Sequence, residues 1–485
     1  MTLHVQQWIG NRWVESLESG LGKGVCLNPA TGSEVGTYDE AGAADAEAAI
    51  ALARKTFETT NWARQPRLRA QVLLEFADRL EARKTDIAKM LVAVNGKLMH
   101  EAMVEPMGGA SEIRYYAGLA RNLFGRMAEI DTGCYSLLAR EPAGVAGIIV
   151  PWNAPLLLLV RSLAPAMAAG CTSVVKLAHQ TSLATKIVIE ALAEVKSLPP
   201  GVVSFLHESG SRVSEALVRS PEVDVVSFTG SSGVGKKIMA AGAGTLKRLS
   251  LELGGKAPSL VFPDCDRKKA VAAIAGAATV MAGQMCTAAG RVLVHQTIAK
   301  EFERDLKAAF ENVVTGPGDD PASTMGPLID RANRDRVQGI VEAAEKVGRM
   351  IVKGRPLGGN LASGAFLTPT LMAIEDVKSR FVQDELFGPV LNFETFTDEA
   401  EAIERANATR YGLAASLWTA DQARASRVSR ALKSGTVWIN SYNKLFAEAE
   451  TGGYRESGFG RLHGVEGLND FLQTKHVYFE APPIA

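Results

Sequence analysis

At Val145 the pattern of the chain changes. From there, short apolar and β-branched runs alternate with helical spacing: Val145 to Val150, Ser173 to Lys176, Val202 to Leu206 and Val223 to Thr229. Strand followed by helix, repeated, is the pattern of a parallel α/β sheet. Such sheets bind ligands beyond the carboxyl ends of their strands, where loops enter helices. Two loops are placed there, Leu177-Ala178-His179-Gln180-Thr181 after Lys176 and Gly230-Ser231-Ser232-Gly233-Val234-Gly235-Lys236-Lys237 after Phe228 and Thr229. A second α/β pattern runs from Val292 through Val437, with Arg331 to Val347 as a helix and Leu413 to Trp418 as a strand. At 485 residues the chain exceeds what one hydrophobic core serves, so two or three domains are expected.

The flanks are simpler. Gln7 to Val14 alternates around a Gly-Asn turn and predicts a small hairpin. Gly42 to Lys97 predicts two or three amphipathic helices, Ser111 to Leu123 another, and Cys134 to Glu141 an extended segment. Val465 to Phe479 predicts a helix and then a strand. Lys plus Arg equals Asp plus Glu, 53 each, which leaves no electrostatic footprint for nucleic acid or an anionic membrane. The five cysteines, at 26, 134, 171, 265 and 286, are odd in number, scattered and without Cys-x-x-Cys, against a disulfide framework or a zinc site. A reducing compartment fits them. With no secretory pattern in Met1 to Ser16 and no apolar run of about 18 residues or more, a soluble cytoplasmic protein is expected.

The loop after Thr229 contains a decoy. Gly230 to Lys236 matches the Gly-x-x-x-x-Gly-Lys frame of a P-loop and follows a strand, so a nucleotide hydrolase is a rival reading. The next position speaks against it, because a P-loop needs Ser or Thr there for magnesium and this chain has Lys237. The Gly-x-Gly-x-x-Gly dinucleotide fingerprint is absent as well. A helix terminus facing phosphate remains available at Ser231.

Three stretches carry candidate chemistry. Gly283 to Gly290, Gly-Gln-Met-Cys-Thr-Ala-Ala-Gly, sets Cys286 among small residues that leave its sulfur and backbone amide room to meet one ligand. Leu251-Glu252-Leu253-Gly254-Gly255-Lys256 places a carboxylate at an apolar strand end. Val150-Pro151-Trp152-Asn153-Ala154-Pro155 places an amide in a stiff turn. Each has a plain structural reading: a buried thiol, a salt-bridged carboxylate, an N-cap. Together they offer a nucleophile, a base and an oxyanion donor.

In this order and with these neighbours, the three stretches resemble the aldehyde dehydrogenase superfamily, and the resemblance covers essentially the whole chain. It implies an NAD-dependent, with NADP possible, non-acylating oxidation of a small aldehyde through a cysteine thioester, by a homodimer or homotetramer. The implied architecture is α/β: a Rossmann-like cofactor-binding domain (1–122 and 142–253), an α/β catalytic domain (254–450) and a small extended oligomerisation arm (123–141 and 463–485). The implied roles are nucleophile for Cys286, base for Glu252 and oxyanion donor for Asn153. The implied cofactor contacts are Val150, Pro151, Trp152, Lys176, His179, Gly210, Phe228, Thr229, Gly230, Ser231, Leu253 and Gly254. Asp384-Glu385-Leu386-Phe387-Gly388-Pro389 resembles the family's Glu-x-Phe-Gly-Pro loop, which adds Glu385 at the nicotinamide ribose and Phe387 beside the nicotinamide.

This chain also departs from the family. His179 stands where relatives carry the acid that holds the adenosine ribose beside Lys176, which weakens the argument for strict NAD specificity. Leu462 replaces a glutamate proposed to relay protons. Glu448, Glu450 and Thr451 flank the point where relatives place a tunnel aromatic. Pro155 to Ala169 predicts a helix on which Leu157 and Arg161, four apart, share a face just after Asn153. Arg161, closing an apolar run, either reaches a surface or internal carboxylate or lines the substrate tunnel, as in relatives acting on aromatic aldehydes. Leu157, Met285, Thr287 and Phe446 complete the expected substrate contacts. An aromatic or polar-substituted aldehyde is favoured, with a cationic one, as in betaine aldehyde enzymes, as the alternative.

Overall fold

In the computed structural model, residues 3–18 and 20–481 are described. The four β-rich runs after Val145 become the strands Val145–Ile149, Thr172–Ala178, Val203–Glu208 and Val225–Thr229. Val145–Ile149 is buried at every position, as a parallel strand covered on both faces must be. It pairs in parallel with Thr172–Ala178 on one side and with Val225–Thr229 on the other. The chain therefore builds outward through Val203–Glu208, then crosses back over its first strand. That reversal is a topological switch point, where α/β sheets open a crevice for ligands. Arg248–Glu252 continues the sheet beside Val225–Thr229, and Gly458–Phe459 closes that edge. The amino-terminal hairpin, Gln7–Ile9 with Arg12–Val14, extends the other edge to eight strands.

A second sheet has seven strands in the order Arg349–Val352, Thr370–Ala373, Val390–Phe396, Ala289–His295, Ala257–Val261, Ala414–Trp418 and Thr436–Ile439. Arg291 and Glu394, both fully buried on adjacent strands, form a two-point ion pair inside it, at 2.7 Å for each contact. Gly254 and Gly255 join the two sheets, carrying the chain from Glu252 to Ala257. A three-stranded arm, Leu472–Glu480, Cys134–Pro142 and Arg126–Asp131, stands apart from both sheets.

One expectation needs correction. The helix predicted from Ser111 begins at Met99 and runs to Ala120, with Pro106 inside it. Pro106, Gly108 and Gly109 suppress the helical signal, and burial overrides that local preference: Ala102, Glu105, Ala110 and Ile113 face the core. The tail strand Leu472–Glu480 pairs with this chain's own Cys134–Pro142 and forms one edge of the arm. Residues 482–485 of the expected arm lie outside the described residues. Among the described residues, no helix is long and apolar enough to cross a membrane.

Candidate active site

Cys286 lies between the short helical turn Val280–Gly283 and the strand Ala289–His295. The loop is folded tightly, with Met281, Ala282 and Gly283 in succession at φ of 48°, 53° and 71°. Three left-handed residues in a row are costly for L-amino acids and persist only where surroundings enforce them. The enforcement is visible. Met281 N–H donates to Glu101 Oε1 at 2.8 Å, and Gln284 is fixed through its side chain to Met281 O and Ile329 N. A Cβ on Gly283 would lie 2.2 Å from Gly388 O, so only glycine fits there.

The other two stretches converge on this loop. Asn153 is buried, and its Nδ2 donates to Gln284 O at 3.0 Å, two residues before the cysteine. Glu252 ends its strand buried, with Oε1 lacking any partner. Close approach depends on the two glycines: a Cβ on Gly255 would lie 2.6 Å from Cys286 O, and one on Gly254 would lie 2.1 Å from Glu385 Oε2. Glu385 Oε1 accepts from Gly255 N–H at 3.2 Å.

Cys286 and Glu252 line one cavity together with Leu158, Arg161, Met285, Thr287, Leu445 and Leu462. Burial pushes the Cys286 thiol up to about 12, helped by the carboxylates of Glu385 and Glu252 and opposed by Arg161. Burial likewise holds the Glu252 carboxyl well above the usual carboxylate range, against the pull of Arg461 and Arg161. Arg161 is only 9 % exposed, and its Nε has no hydrogen-bond partner. Burial lowers its guanidinium from the ordinary value, although Glu112, Glu105 and Glu252 favour its charge through space.

Of the residues expected to contact substrate, Arg161, Met285 and Thr287 line this cavity, whereas Leu157 and Phe446 do not. On the Pro155–Ala169 helix, residues three and four before Arg161 both lie near its face, and packing decides between them. Leu157 turns toward Gly108, its Cδ1 3.2 Å from that residue's Cβ position, and Leu158 enters the cavity. Phe446 is 60 % exposed, and Leu445 lines the cavity instead. Glu448 and Glu450 are exposed and lie outside the lining. Glu450 caps the turn at Val465, accepting from its N–H at 2.9 Å.

Sequence reading missed the segment Asn440–Asn443. Tyr442 hydroxyl donates to Thr287 O, Thr287 Oγ1 donates to Asn443 Oδ1 at 3.1 Å, and Asn443 Nδ2 reaches Met285 Sδ at 3.4 Å. This clamp holds both neighbours of Cys286. Its signal was present as Asn-Ser-Tyr-Asn beyond a strand end, where asparagine tolerates the φ of 51° and 52° found at Asn440 and Asn443.

Next to the Cys286 cavity, and sharing Thr229 with it, a larger cavity of about 620 Å³ opens at the switch point. Val150, Pro151, Trp152, Lys176, His179, Gly210, Phe228, Thr229 and Gly230 all line it. Ser231 does not, although its neighbours Gly230 and Val234 do; it caps the helix Ser232–Gly242 by accepting from Val234 N–H at 3.3 Å. Leu253 belongs to the Cys286 cavity instead, and Gly254, Glu385 and Phe387 lie outside both linings. Phe387 meets Trp152, which lines the larger cavity, edge to face at 5.6 Å between ring centres. The residues fit an extended dinucleotide: the crevice lies at strand carboxyl ends, a helix amino terminus faces it, and Lys176 lines it with a cation. Lys236, the decoy lysine, pairs outward with Glu456 at 2.9 Å.

Fold and cavities together define a two-sheet α/β protein with a half-buried cysteine beside a nucleotide-sized crevice. The chain belongs to the aldehyde dehydrogenase family, whose model matches residues 13–477. It is 38% identical over 463 residues to betaine aldehyde dehydrogenase of Bacillus subtilis, covering 95% of this chain and 94% of that one. It is 36% identical over 479 residues to phenylacetaldehyde dehydrogenase of Pseudomonas fluorescens, covering 97% and 95%. Betaine aldehyde dehydrogenase of Staphylococcus aureus, solved in complex with NAD+, superposes with a TM-score of 0.95 at 35% identity, covering 99% of this chain and 95% of that one.

Proposed function

We propose that this protein oxidises an aldehyde to a carboxylic acid with NAD, and with NADP as second choice, through a thioester on Cys286. The observation that carries this reading is the meeting of Cys286 and Glu252 in one buried cavity that shares Thr229 with the dinucleotide-sized crevice. The relative solved with NAD+ supports the choice of cofactor.

Cys286 rests as a thiol, because its site disfavours the anion. A base must therefore take its proton as sulfur attacks the aldehyde carbon. Glu252 is that base, acting directly or through water. The oxygen that gains charge meets the Cys286 backbone N–H and the Asn153 amide hydrogen not engaged by Gln284. One such donor is worth roughly 100- to 1000-fold in rate. When bound, the oxidised nicotinamide supplies the hydride acceptor and a positive charge. Loss of hydride from the adduct leaves the thioester, and Glu252 deprotonates the water that hydrolyses it. Its raised pKa suits that task, and with Leu462 in the lining, its proton leaves by water.

The substrate we favour is an aromatic or polar-substituted aldehyde. Arg161 supports this, since a buried guanidinium with an unpartnered nitrogen is matched by a carboxylate or phenolate, or by an aromatic face. A cationic aldehyde would meet this cation, while Glu448 and Glu450 lie outside the cavity. We assign cofactor binding to 1–122 and 142–253, catalysis to 254–450 and oligomerisation to 123–141 and 463–485. A homodimer or homotetramer is supported by the exposed Phe124, Met127, Ile130, Tyr478 and Phe479 on and beside the arm. Five free cysteines support a cytoplasmic location.

A panel of aliphatic, aromatic and cationic aldehydes with NAD and NADP, read as reduced nicotinamide, tests the reading. Turnover without coenzyme A, best on aromatic aldehydes, is expected; no turnover with any member would refute it.

A further inference from the structure

The sequence removes a carboxylate from the adenosine end of the crevice by placing His179 there. The fold returns one from a distant part of the chain. Glu40 follows the strand Glu34–Asp39, in a small three-stranded sheet that belongs to neither main sheet. That strand end is stitched to the end of Val203–Glu208. Gln7 Nε2 donates to Asp39 O at 2.7 Å, Gln7 Oε1 accepts from His207 N–H at 2.8 Å, and Ala41 N–H donates to His207 O at 2.8 Å. Glu40 Oε1 then accepts from Ser209 N–H at 2.6 Å and from Ser209 Oγ at 2.9 Å.

Ser209 and Gly210 line the crevice with Lys176 and His179. Tyr38, two residues before Glu40, has its ring centre 6.0 Å from that of His179, and Cys26 Sγ reaches His179 O at 3.4 Å. Both bonds from Ser209 land on Oε1, and the Tyr38 hydroxyl also approaches the Glu40 carboxylate.

We propose that Glu40, oriented by Ser209, is the carboxylate that lets this enzyme distinguish an adenosine ribose with a free 2′-hydroxyl from one bearing a 2′-phosphate. This rests on the nicotinamide-dependent reading above. A carboxylate beside the ribose accepts from its hydroxyls and repels a phosphate dianion. Glu40 itself stands behind Ser209 and outside the lining, and its charge acts through space on both Lys176 and His179. Glu208, also near Lys176, does not fill this role. It is 1 % exposed, its Oε1 accepts from Val213 N–H at 3.0 Å, and burial raises its pKa toward the neutral form. His179 adds no compensating cation, because burial and Lys176 lower its pKa.

The test is equilibrium binding to the full enzyme, by calorimetry, of NAD, NADP, 5′-AMP and 2′,5′-ADP, without turnover. Wild type should prefer the members lacking the 2′-phosphate. Glu40→Gln should reduce that preference by about tenfold, the size of one charge repulsion near a protein surface. Ser209→Ala should shift it in the same direction by less, and adding His179→Glu to Glu40→Gln should restore it. If the nucleotides bind and Glu40→Gln leaves the ratios within about twofold, the inference is wrong while the cofactor reading stands. Should Glu40→Gln fail to fold, an unmoved ratio in Ser209→Ala overturns it. If no adenine nucleotide binds wild type, the cofactor reading falls, and this inference with it.

Discussion

Replacing Arg161 with methionine should make the protein more stable and a worse catalyst for its own substrate. The guanidinium is 9 % exposed and has an unpartnered Nε, so burying its charge is incompletely compensated. Replacing a buried ion pair by apolar side chains is typically neutral or stabilising by about 1–4 kcal/mol, and the same desolvation cost is relieved when an incompletely partnered buried ion such as Arg161 is removed. A gain near the lower end is expected here, because Glu112, Glu105 and Glu252 already favour the charge. The catalytic effect has the opposite sign. A charge-assisted hydrogen bond to a ring substituent is worth about 1.5–3 kcal/mol, or roughly 10- to 150-fold in affinity. The assay pairs urea unfolding with kcat/KM for a hydroxy- or carboxybenzaldehyde and for propanal. The aromatic substrate should lose about 10- to 150-fold, mostly through KM, and propanal less than about threefold. Equal losses on both substrates, or a clear loss of stability, would mean that Arg161 is a structural residue.

Gly283→Ala sets a Cβ 2.2 Å from Gly388 O at a φ of 71°, so the loop must shift. Turnover should fall by about 100-fold, the usual cost of misplacing a nucleophile by an ångström, with little change in circular dichroism. Glu385 is raised from 4.5 to about 7 by burial, so the folded protein binds the proton more tightly than the unfolded chain. Its contribution to stability is full below pH 4.5 and is lost as pH rises to about 7; melting of Glu385→Gln between these values should lose the corresponding slope. Glu252, raised in the same direction, gives the wild-type hydrolytic step a rate that climbs as pH rises through the shifted carboxyl value. That climb should vanish from the steady-state pH profile of Glu252→Gln.

The strands around the crevice were legible because a parallel strand buried on both faces writes itself as an apolar run. The helix Pro155–Ala169 was legible because proline marks its start and Gly170 its left-handed end. What stayed hidden was set by packing between distant segments. Periodicity cannot choose between Leu157 and Leu158 until the helix Met99–Ala120 covers one of them. The Tyr442 and Asn443 clamp lies over 150 residues from Cys286, and the two meet only when Thr436–Ile439 joins the second sheet. Glu40 is the same case at the other cavity. The motif position offers a histidine, and the carboxylate arrives from a strand that no local pattern connects to it.

The central claim is that Cys286 carries a thioester that Glu252 releases. Its most direct test is a single turnover of Glu252→Gln with NAD and the best aldehyde of the panel, quenched in acid and digested for mass spectrometry. One fast equivalent of reduced nicotinamide per active site and the acyl mass on the peptide containing Cys286 are expected, with neither seen in Cys286→Ala. Steady turnover at the native rate, with Cys286 unmodified, would contradict it.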